Sequence, residues 1–147
     1  VVRMLLDAGA DINLARTDDG DTPLYIASQE GNTDVVRMLL DAGADVNLAT
    51  TDDGASPLHV ASQNDNTDVV RMLLDAGADV NQATINDYKC RNKIIRKGAT
   101  PLYVASRYGK ADVVRMLLDA GANLVPHTFD FLRRELFLHI FQYYSQM

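Results

Sequence analysis

The hydrophobic residues of this chain follow one pattern that recurs along its length. The segment VVRMLLDAGA occurs four times, and its copies begin at Val1, Val35, Val69 and Val113. In each copy the valines and leucines recur at i, i+1, i+4 and i+5, which predicts an amphipathic helix that ends at the glycine. Because the copies are spaced 34, 34 and 44 residues apart, the sequence indicates a solenoid of stacked units.

A second helix pattern precedes each of the last three copies. Thr22-Pro23 supplies an N-cap and a first-turn proline, and Gly31 can take the left-handed conformation that ends the helix. The same start recurs at Ser56-Pro57 and at Thr100-Pro101. The residues predicted to face inward on the helix after Thr22 are Leu24, Ile26 and Ala27.

These residues resemble the ankyrin repeat family. The pattern TPL-x-x-A, followed by G-N-x-D-V-V-x-x-L-L-x-A-G-A-D-x-N, is complete at residues 22–47 and recurs with small changes at 56–81 and 100–123. The resemblance covers about residues 1–124. It implies an all-α ankyrin-repeat solenoid of stacked antiparallel helix pairs with projecting hairpin loops.

The chain is expected to contain a partial repeat, three complete repeats and a tail. The predicted units are 1–16 (second helix only), 17–50, 51–84, 85–124 (with a basic loop insertion) and 125–147 (non-repeat). Because Val1 falls inside a repeat, we expect the chain to be a fragment whose upstream helix face is open. For the tail we consider three alternatives: a helical cap, a docking segment or a gene-model artefact.

Two features depart from the family pattern. The histidine that usually follows TPL is kept only as His59, whereas Tyr25 and Tyr103 replace it in the other units. The hydrogen bond between repeats that the resemblance implies for this histidine is therefore in doubt there. Asp65 replaces the helix-ending glycine, and we expect a cost of about 1 kcal/mol for aspartate in the left-handed conformation.

Charge is distributed unevenly over the 147 residues. Residues 1–84 carry 4 basic and 15 acidic side chains, whereas residues 85–147 carry 10 basic and 5 acidic ones. The acidic first half argues against general nucleic-acid binding, which needs a positive surface. The apolar runs are too short to cross a membrane. A single cysteine, Cys90, excludes an intramolecular disulfide and favours a cytoplasmic location, with a nuclear one as the alternative.

The positions that vary between repeats predict a protein-binding surface. They fall at the hairpin loops and along the first helix, where the resemblance places partner contacts; neutral drift on a solvated face is the alternative. The predicted protein-binding residues are Asp18, Asp19, Asp21, Tyr25, Gln29, Glu30, Asp52, Asp53, His59, Gln63, Asn64, Arg96, Lys97, Tyr103, Arg107, Tyr108 and Lys110. Because the early members are acidic and the late ones basic, we expect a protein partner of mixed charge.

No catalytic, cofactor or metal site is predicted. The acidic DDGD stretch at 18–21 lacks the carboxylates that a calcium loop needs at its first, third and twelfth positions. The expected function is a non-catalytic, monomeric protein-interaction module, acting as a scaffold or adaptor through its concave face and hairpin tips. The alternative is an accessory domain of a larger protein, such as a ubiquitin-ligase substrate adaptor, an ion channel or an enzyme.

The last repeat contains ten extra residues within the basic stretch INDYKCRNKIIRKG at 85–98. We interpret this stretch as a solvated loop extension, because lengthening a surface loop costs little. A partner-binding finger and a nuclear-import patch are the alternatives. Cys90 lies between two cations but has no histidine or carboxylate at a useful spacing, so we regard it as an incidental thiol.

Reversing the charge at the basic end should weaken partner binding. We expect the double variant Arg107→Glu/Lys110→Glu to bind a true partner several-fold less tightly and with a different salt dependence, because rim charges act by electrostatic complementarity. Titration calorimetry at two salt concentrations measures both effects. Unchanged binding by the double variant would show that the predicted orientation is wrong.

Overall fold

The computed structural model describes residues 1–124, 141–142 and 144–146. Its elements in chain order are α1 (Val2–Asp7), α2 (Pro23–Glu30), α3 (Thr33–Asp41), α4 (Pro57–Gln63), α5 (Thr67–Asp75), β1 (Tyr88–Cys90), β2 (Lys93–Ile95), α6 (Pro101–Arg107) and α7 (Ala111–Asp119). Most of the 125–147 tail lies outside the described residues, so the cap, docking and artefact hypotheses remain predictions.

The first helix of each complete repeat begins as the sequence predicts. Thr22 caps α2 with its hydroxyl oxygen, which accepts a hydrogen bond from the Tyr25 backbone N–H at 3.1 Å. Ser56 and Thr100 make the equivalent bonds at the starts of α4 and α6. Each cap satisfies an amide that the helix itself leaves unpaired, and the following proline fits the first turn.

The helices form two rows, which confirms the predicted stack of helix pairs. One row contains the first helices α2, α4 and α6, and the other contains the second helices α1, α3, α5 and α7. Val36, Val70 and Val114 are buried at equivalent positions of the second row, together with Leu24, Leu58 and Leu102 of the first row. Each such side chain contributes roughly 1.5–3 kcal/mol of burial free energy, and it contributes this only when a neighbouring pair covers it.

A ladder of asparagines ties the second-helix ends of successive repeats together. The side-chain oxygen of Asn13 accepts from the backbone N–H of Asp45 at 2.9 Å, and Asn47 accepts from Asp79 at 2.7 Å. Asn81 continues the series by accepting from the backbone N–H of Asn123 at 2.8 Å. This asparagine is kept in the first three copies of the repeat, where it serves the stack, and valine stands at the equivalent position, 125, of the fourth copy.

The projecting loops are also stacked closely, and this requires glycine. The backbone N–H of Thr51 donates to the carbonyl of Asp19 at 3.1 Å, and Ile85 donates to Asp53 at 2.8 Å. Gly20 has a φ of +79°, and a Cβ built there would lie 2.5 Å from the Thr51 backbone nitrogen. Only a residue without a side chain permits this approach at a positive φ.

The insertion is not the solvated loop that the sequence suggested. Strands β1 and β2 pair antiparallel, with Tyr88 opposite Ile95, Lys89 opposite Ile94 and Cys90 opposite Lys93. The two residues between the strands, Arg91 and Asn92, form the turn. Ile95 is fully buried, whereas Lys89 and Ile94 are exposed. The fold is therefore mostly helical with one small β-hairpin, whose inner face packs on the helices.

Ile26 also departs from its predicted position. The equivalent residues Val60 and Val104 are buried, but Ile26 is 37% exposed. Helix α2 packs on α4 along one side, and no first-row helix of the described chain lies along its other side. The inward-facing prediction is correct for Leu24 and Ala27, which are buried, and wrong for Ile26.

Asp65 adopts the predicted left-handed conformation, with a φ of +63°, close to the +69° of Gly31 and Gly109 at the equivalent positions. We expect Asp65→Gly to raise the free energy of unfolding by about 1 kcal/mol, because glycine relieves the steric penalty there. Urea denaturation followed by circular dichroism measures the change.

The matched control is Asp75→Gly at the right-handed end of α5. It should lower the free energy of unfolding by roughly 1 kcal/mol, because Asp75 has no steric penalty to relieve and glycine has a lower helix propensity than aspartate. A destabilising Asp65→Gly, or equal effects of the two variants, would contradict the interpretation.

Candidate partner-binding surface

The predicted binding residues lie on the surface formed by α2, α4 and α6 and the loops that precede them, here called the candidate face. The N-caps place Tyr25, His59 and Tyr103 at the same helical position, two residues after the first-turn proline. These side chains therefore point from successive helices toward one side of the stack, as the repeat geometry requires. The acidic loops adjoin the same helices.

The acidic residues form one group at the start of this face. Asp19 and Asp53 belong to loops that backbone hydrogen bonds join to the loop of the next repeat, and both lie near Asp21. Burial, and then the charge of Asp19, raise the pKa of the Asp21 carboxyl. Arg16 lies 2.7 Å from Asp18 and, through that hydrogen bond, lowers the pKa of the Asp18 carboxyl. The loops thus concentrate negative charge on a backbone that is held in place.

Tyr25 lies half-buried beside these carboxylates. Burial raises the pKa of its phenol, and the charges of Asp53 and Asp21 raise it further. The tyrosine is therefore a neutral hydroxyl within a negative field at any physiological pH. Gln29 and Glu30, one helical turn further along α2, are exposed. An aromatic ring flanked by carboxylates is suited to contact a basic side chain of a partner.

The β-hairpin covers the middle of the candidate face. The Tyr88 hydroxyl lies 2.7 Å from Nε2 of His59 and donates to Oε1 of Gln63 at 3.0 Å. Nε2 of Gln63 in turn lies 2.9 Å from the Cys90 sulfur. Because the hydroxyl donates to Gln63, the network assigns the histidine proton to Nε2. This chain of bonds attaches β1 to α4.

The turn end of the hairpin is attached to α6 through Tyr108. The phenol of Tyr108 donates to the Cys90 carbonyl at 3.0 Å, and burial raises the pKa of Tyr108 to about 12. Above its ring lie the Lys93 ammonium at 4.8 Å from the centroid and the Arg91 guanidinium at 5.5 Å. Lys93 also donates to the Arg107 carbonyl at 2.9 Å. Two basic residues of the insertion, Arg91 and Lys93, thus make contacts with α6 and its C-cap.

The other cations of the basic end lie on its outside. Arg96 is paired with Asp87 at 2.7 Å. The hydrogen bond from the Lys97 backbone N–H, and then the one from the Arg96 guanidinium, lower the pKa of the Asp87 carboxyl. Lys97 is exposed, and Lys110 is half-buried at the start of α7. Positive charge therefore remains at the predicted end of the face, but with less of it unpaired than the sequence suggested.

Three predicted binding residues require a correction. His59, Gln63 and Tyr103 are buried, with exposed fractions of 1%, 7% and 6%, because the hairpin and the neighbouring helices cover them. A partner cannot contact these side chains while the hairpin is in place. Asn64 is half-buried and donates through its side chain to the Gln29 carbonyl at 3.2 Å, which is a bond between repeats.

The exposed or half-exposed predicted residues are Asp18, Asp19, Asp21, Tyr25, Gln29, Glu30, Asp52, Asp53, Arg96, Lys97, Arg107, Tyr108 and Lys110. The structure brings the first eight of these together around α2 and its loops.

Tyr88, Cys90 and Ile95 contact the candidate face, and the comparison of repeats missed them because no other unit contains an equivalent. A weak local signal was present: apolar and charged residues alternate in YKC, and KII is rich in β-branched residues, on either side of Arg91-Asn92, as in a hairpin with a two-residue turn. The interpretation of Cys90 as an incidental thiol took no account of its contact with Gln63.

Within the described residues, no three histidine, cysteine or acidic side chains are grouped so as to hold a metal ion. No helix in the same part of the chain is long and apolar enough to span a membrane.

Comparison with known families agrees with the geometry. A family model described as ankyrin repeats in three copies matches residues 1–84, and a single ankyrin repeat model matches residues 97–127. Residues 85–96, which lie between the two matches, contain both strands of the hairpin. No curated protein matches the chain in sequence.

The buried histidine predicts a pH dependence of stability. Burial lowers the pKa of His59 to about 3, from 6.5 in an unfolded chain. Below pH 6.5 the unfolded chain binds a proton that the folded chain does not, so stability falls as the pH decreases. We expect a loss of about 2 kcal/mol between pH 8 and pH 5.

Urea unfolding at the two pH values tests this expectation, with His59→Gln as the reference. Glutamine can still donate to the Tyr88 hydroxyl but has no proton to gain. The wild type should therefore lose about 2 kcal/mol more than the variant on acidification. Equal losses in the two proteins would show that His59 titrates normally in the folded state.

Proposed function

Because the chain belongs to the ankyrin repeat family, we propose that it is a non-catalytic protein-binding module that recruits a partner through the candidate face. Ankyrin repeats are commonly protein-binding modules. A stack of small units held by neighbour contacts presents a large surface whose order exists before binding, so association costs little conformational entropy. Fold alone does not identify the partner, so the chemistry of the face must do so.

The observation that supports this proposal is the composition of the uncovered part of the face. The hairpin lies on α4 and α6, whereas Gln29 and Glu30 on α2 are exposed and Tyr25 is half-buried beside the acidic loops. This part of the face thus combines an aromatic side chain, a carboxamide and several carboxylates, and backbone hydrogen bonds between successive loops hold it in place. Tyrosines in such settings are frequent binding hot spots.

We infer a partner segment whose basic residues face the acidic loops. Such a segment would gain Coulomb attraction from Asp21, Asp52 and Asp53, whose mutual repulsion it would relieve. Acidic residues further along the partner would face Arg107 and Lys110. The partner is therefore still expected to carry both charges, and we infer that most of its contacts are made at the acidic end.

A charge-reversal variant tests the proposal with peptides selected on the wild-type chain from a displayed library of short random sequences. We expect the selected peptides to be rich in lysine and arginine. Glu30→Lys/Asp52→Lys should weaken their binding by about tenfold at low salt, because both side chains are exposed at the acidic end.

The matched control is Asp41→Lys/Asp75→Lys, which changes the net charge equally at exposed second-row helix ends. It should leave peptide affinity nearly unchanged. Selected peptides without basic residues, or equal weakening by both double variants, would contradict a local acidic recognition surface.

A further inference from the structure

The hairpin is an addition to a loop that closes without it. In the preceding repeat, three residues, 51–53, connect Thr50 to Gly54, whereas residues 85–97 take their place before Gly98. The base of the loop is the same in both repeats. Thr50 donates through its backbone N–H to the Ala55 carbonyl at 3.0 Å, and Thr84 donates in the same way to Ala99 at 3.0 Å. Loop closure therefore does not explain why β1 and β2 lie against the helices.

The inner face of the hairpin contacts α4 and α6 as a bound ligand would. Tyr88 places its hydroxyl between the His59 ring and the Gln63 carboxamide, and its ring meets that of His59 edge to face at 5.9 Å between centroids. Its cross-strand partner Ile95 is fully buried in a cluster with Tyr103 and Val104. One polar and one apolar anchor thus lie side by side on the same strand pair.

The outer face makes none of these contacts, so the two faces differ in chemistry. Lys89 and Ile94, paired in register, point away from the helices, and Ile94 is 57% exposed. Arg91, at the turn, has a φ of +54°, which is unfavourable for a residue with a side chain. Attachment of the hairpin to the helices therefore depends on a few contacts of the inner face and of the turn residues with Tyr108.

We propose that the groove over α4 and α6 is a recognition site for a β-hairpin that presents a tyrosine opposite a branched apolar residue, and that the chain's own insertion occupies this site. A partner segment with the same chemistry would bind there only by displacing the insertion. This inference concerns the part of the candidate face that the acidic surface does not include. It therefore stands or falls separately from the proposed function.

The test supplies the hairpin in trans to a chain that lacks it. The receptor variant replaces residues 85–97 with Thr-Asp-Asp, the loop of the preceding repeat, so that the groove is open. The probe is a backbone-cyclised peptide of residues 85–98 with Cys90→Ser, labelled with a fluorophore on the outward Lys89. Cyclisation reduces the ordering cost that a free hairpin would incur on binding.

We expect saturable binding to the receptor variant, measured by fluorescence anisotropy, with a dissociation constant below about 1 mM. The wild-type chain, whose groove is filled, should bind at least about tenfold more weakly. A Tyr88→Phe peptide should lose about tenfold in affinity, because His59 and Gln63 are left without the hydroxyl. An Ile94→Ala peptide, altered on the outer face, should bind as well as the parent peptide.

Three results would overturn the proposal: no saturable binding to the receptor variant, equal binding by the receptor variant and the wild type, or equal affinity of the parent and Tyr88→Phe peptides. The probe is basic, so the receptor is also tested with Glu30→Lys/Asp52→Lys. Binding that depends on these carboxylates and not on Tyr88 would assign the peptide to the acidic surface and exclude the groove.

The full-length chain provides a second measurement that does not depend on the receptor variant. Cys90 is the single thiol and lies half-buried on the inner face of β1, with its sulfur 2.9 Å from Nε2 of Gln63, so its alkylation accelerates when the hairpin leaves α4. Tyr88→Phe should accelerate alkylation about tenfold, whereas Ile94→Ala should leave the rate unchanged. Identical rates in the wild type and Tyr88→Phe would show that the tyrosine does not hold the hairpin closed.

Discussion

Each helix pair buries its apolar stripe only against a neighbouring pair, and the rest of the structure depends on this constraint. Val36, Val70 and Val114 are buried because a neighbour covers each, and Ile26 is exposed where no first-row helix lies beside it. The asparagine ladder adds directional bonds between the same neighbours. Apolar residues are therefore needed at the buried positions of both rows, and the outward positions of the first helices and the loops are left free to vary.

The contrast between shared and variable positions explains which parts of the structure could be predicted from the sequence. The helices, their caps and the left-handed Asp65 follow from local chemistry, which four copies of one pattern report repeatedly. Comparison of repeats finds whatever all units share. It fails for the hairpin, because the contact between His59 and Tyr88 joins residues 29 positions apart and exists in one unit only. Alternation of apolar and charged residues is visible in YKC and absent from KII, so the sequence signal for the hairpin is weak, and the attachment of the strands to α4 is tertiary.

Because the hairpin is attached to α4, variation between repeats does not by itself indicate that a residue is accessible to a partner. Variation was interpreted as accessibility to a partner, yet His59, Gln63 and Tyr103 vary and are buried beneath the hairpin or between helices. A position can vary because its contact is unique within the chain as well as because it faces solvent. His59 has its hydroxyl partner in the insertion, whereas Tyr25, on the helix that the hairpin leaves uncovered, stays half-exposed.

The basic residues of the second half of the chain make contacts within the molecule as well as contributing to its surface charge. Lys93 and Arg91 lie on Tyr108, and Arg96 is paired with Asp87, so much of the basic insertion is neutralised or stacked locally. The acidic loops have only Arg16 as a close cation among the ion pairs of the described residues. Within the described part of the candidate face, the carboxylates around α2 are therefore paired less than the cations of the insertion, of which Lys89 and Lys97 remain exposed.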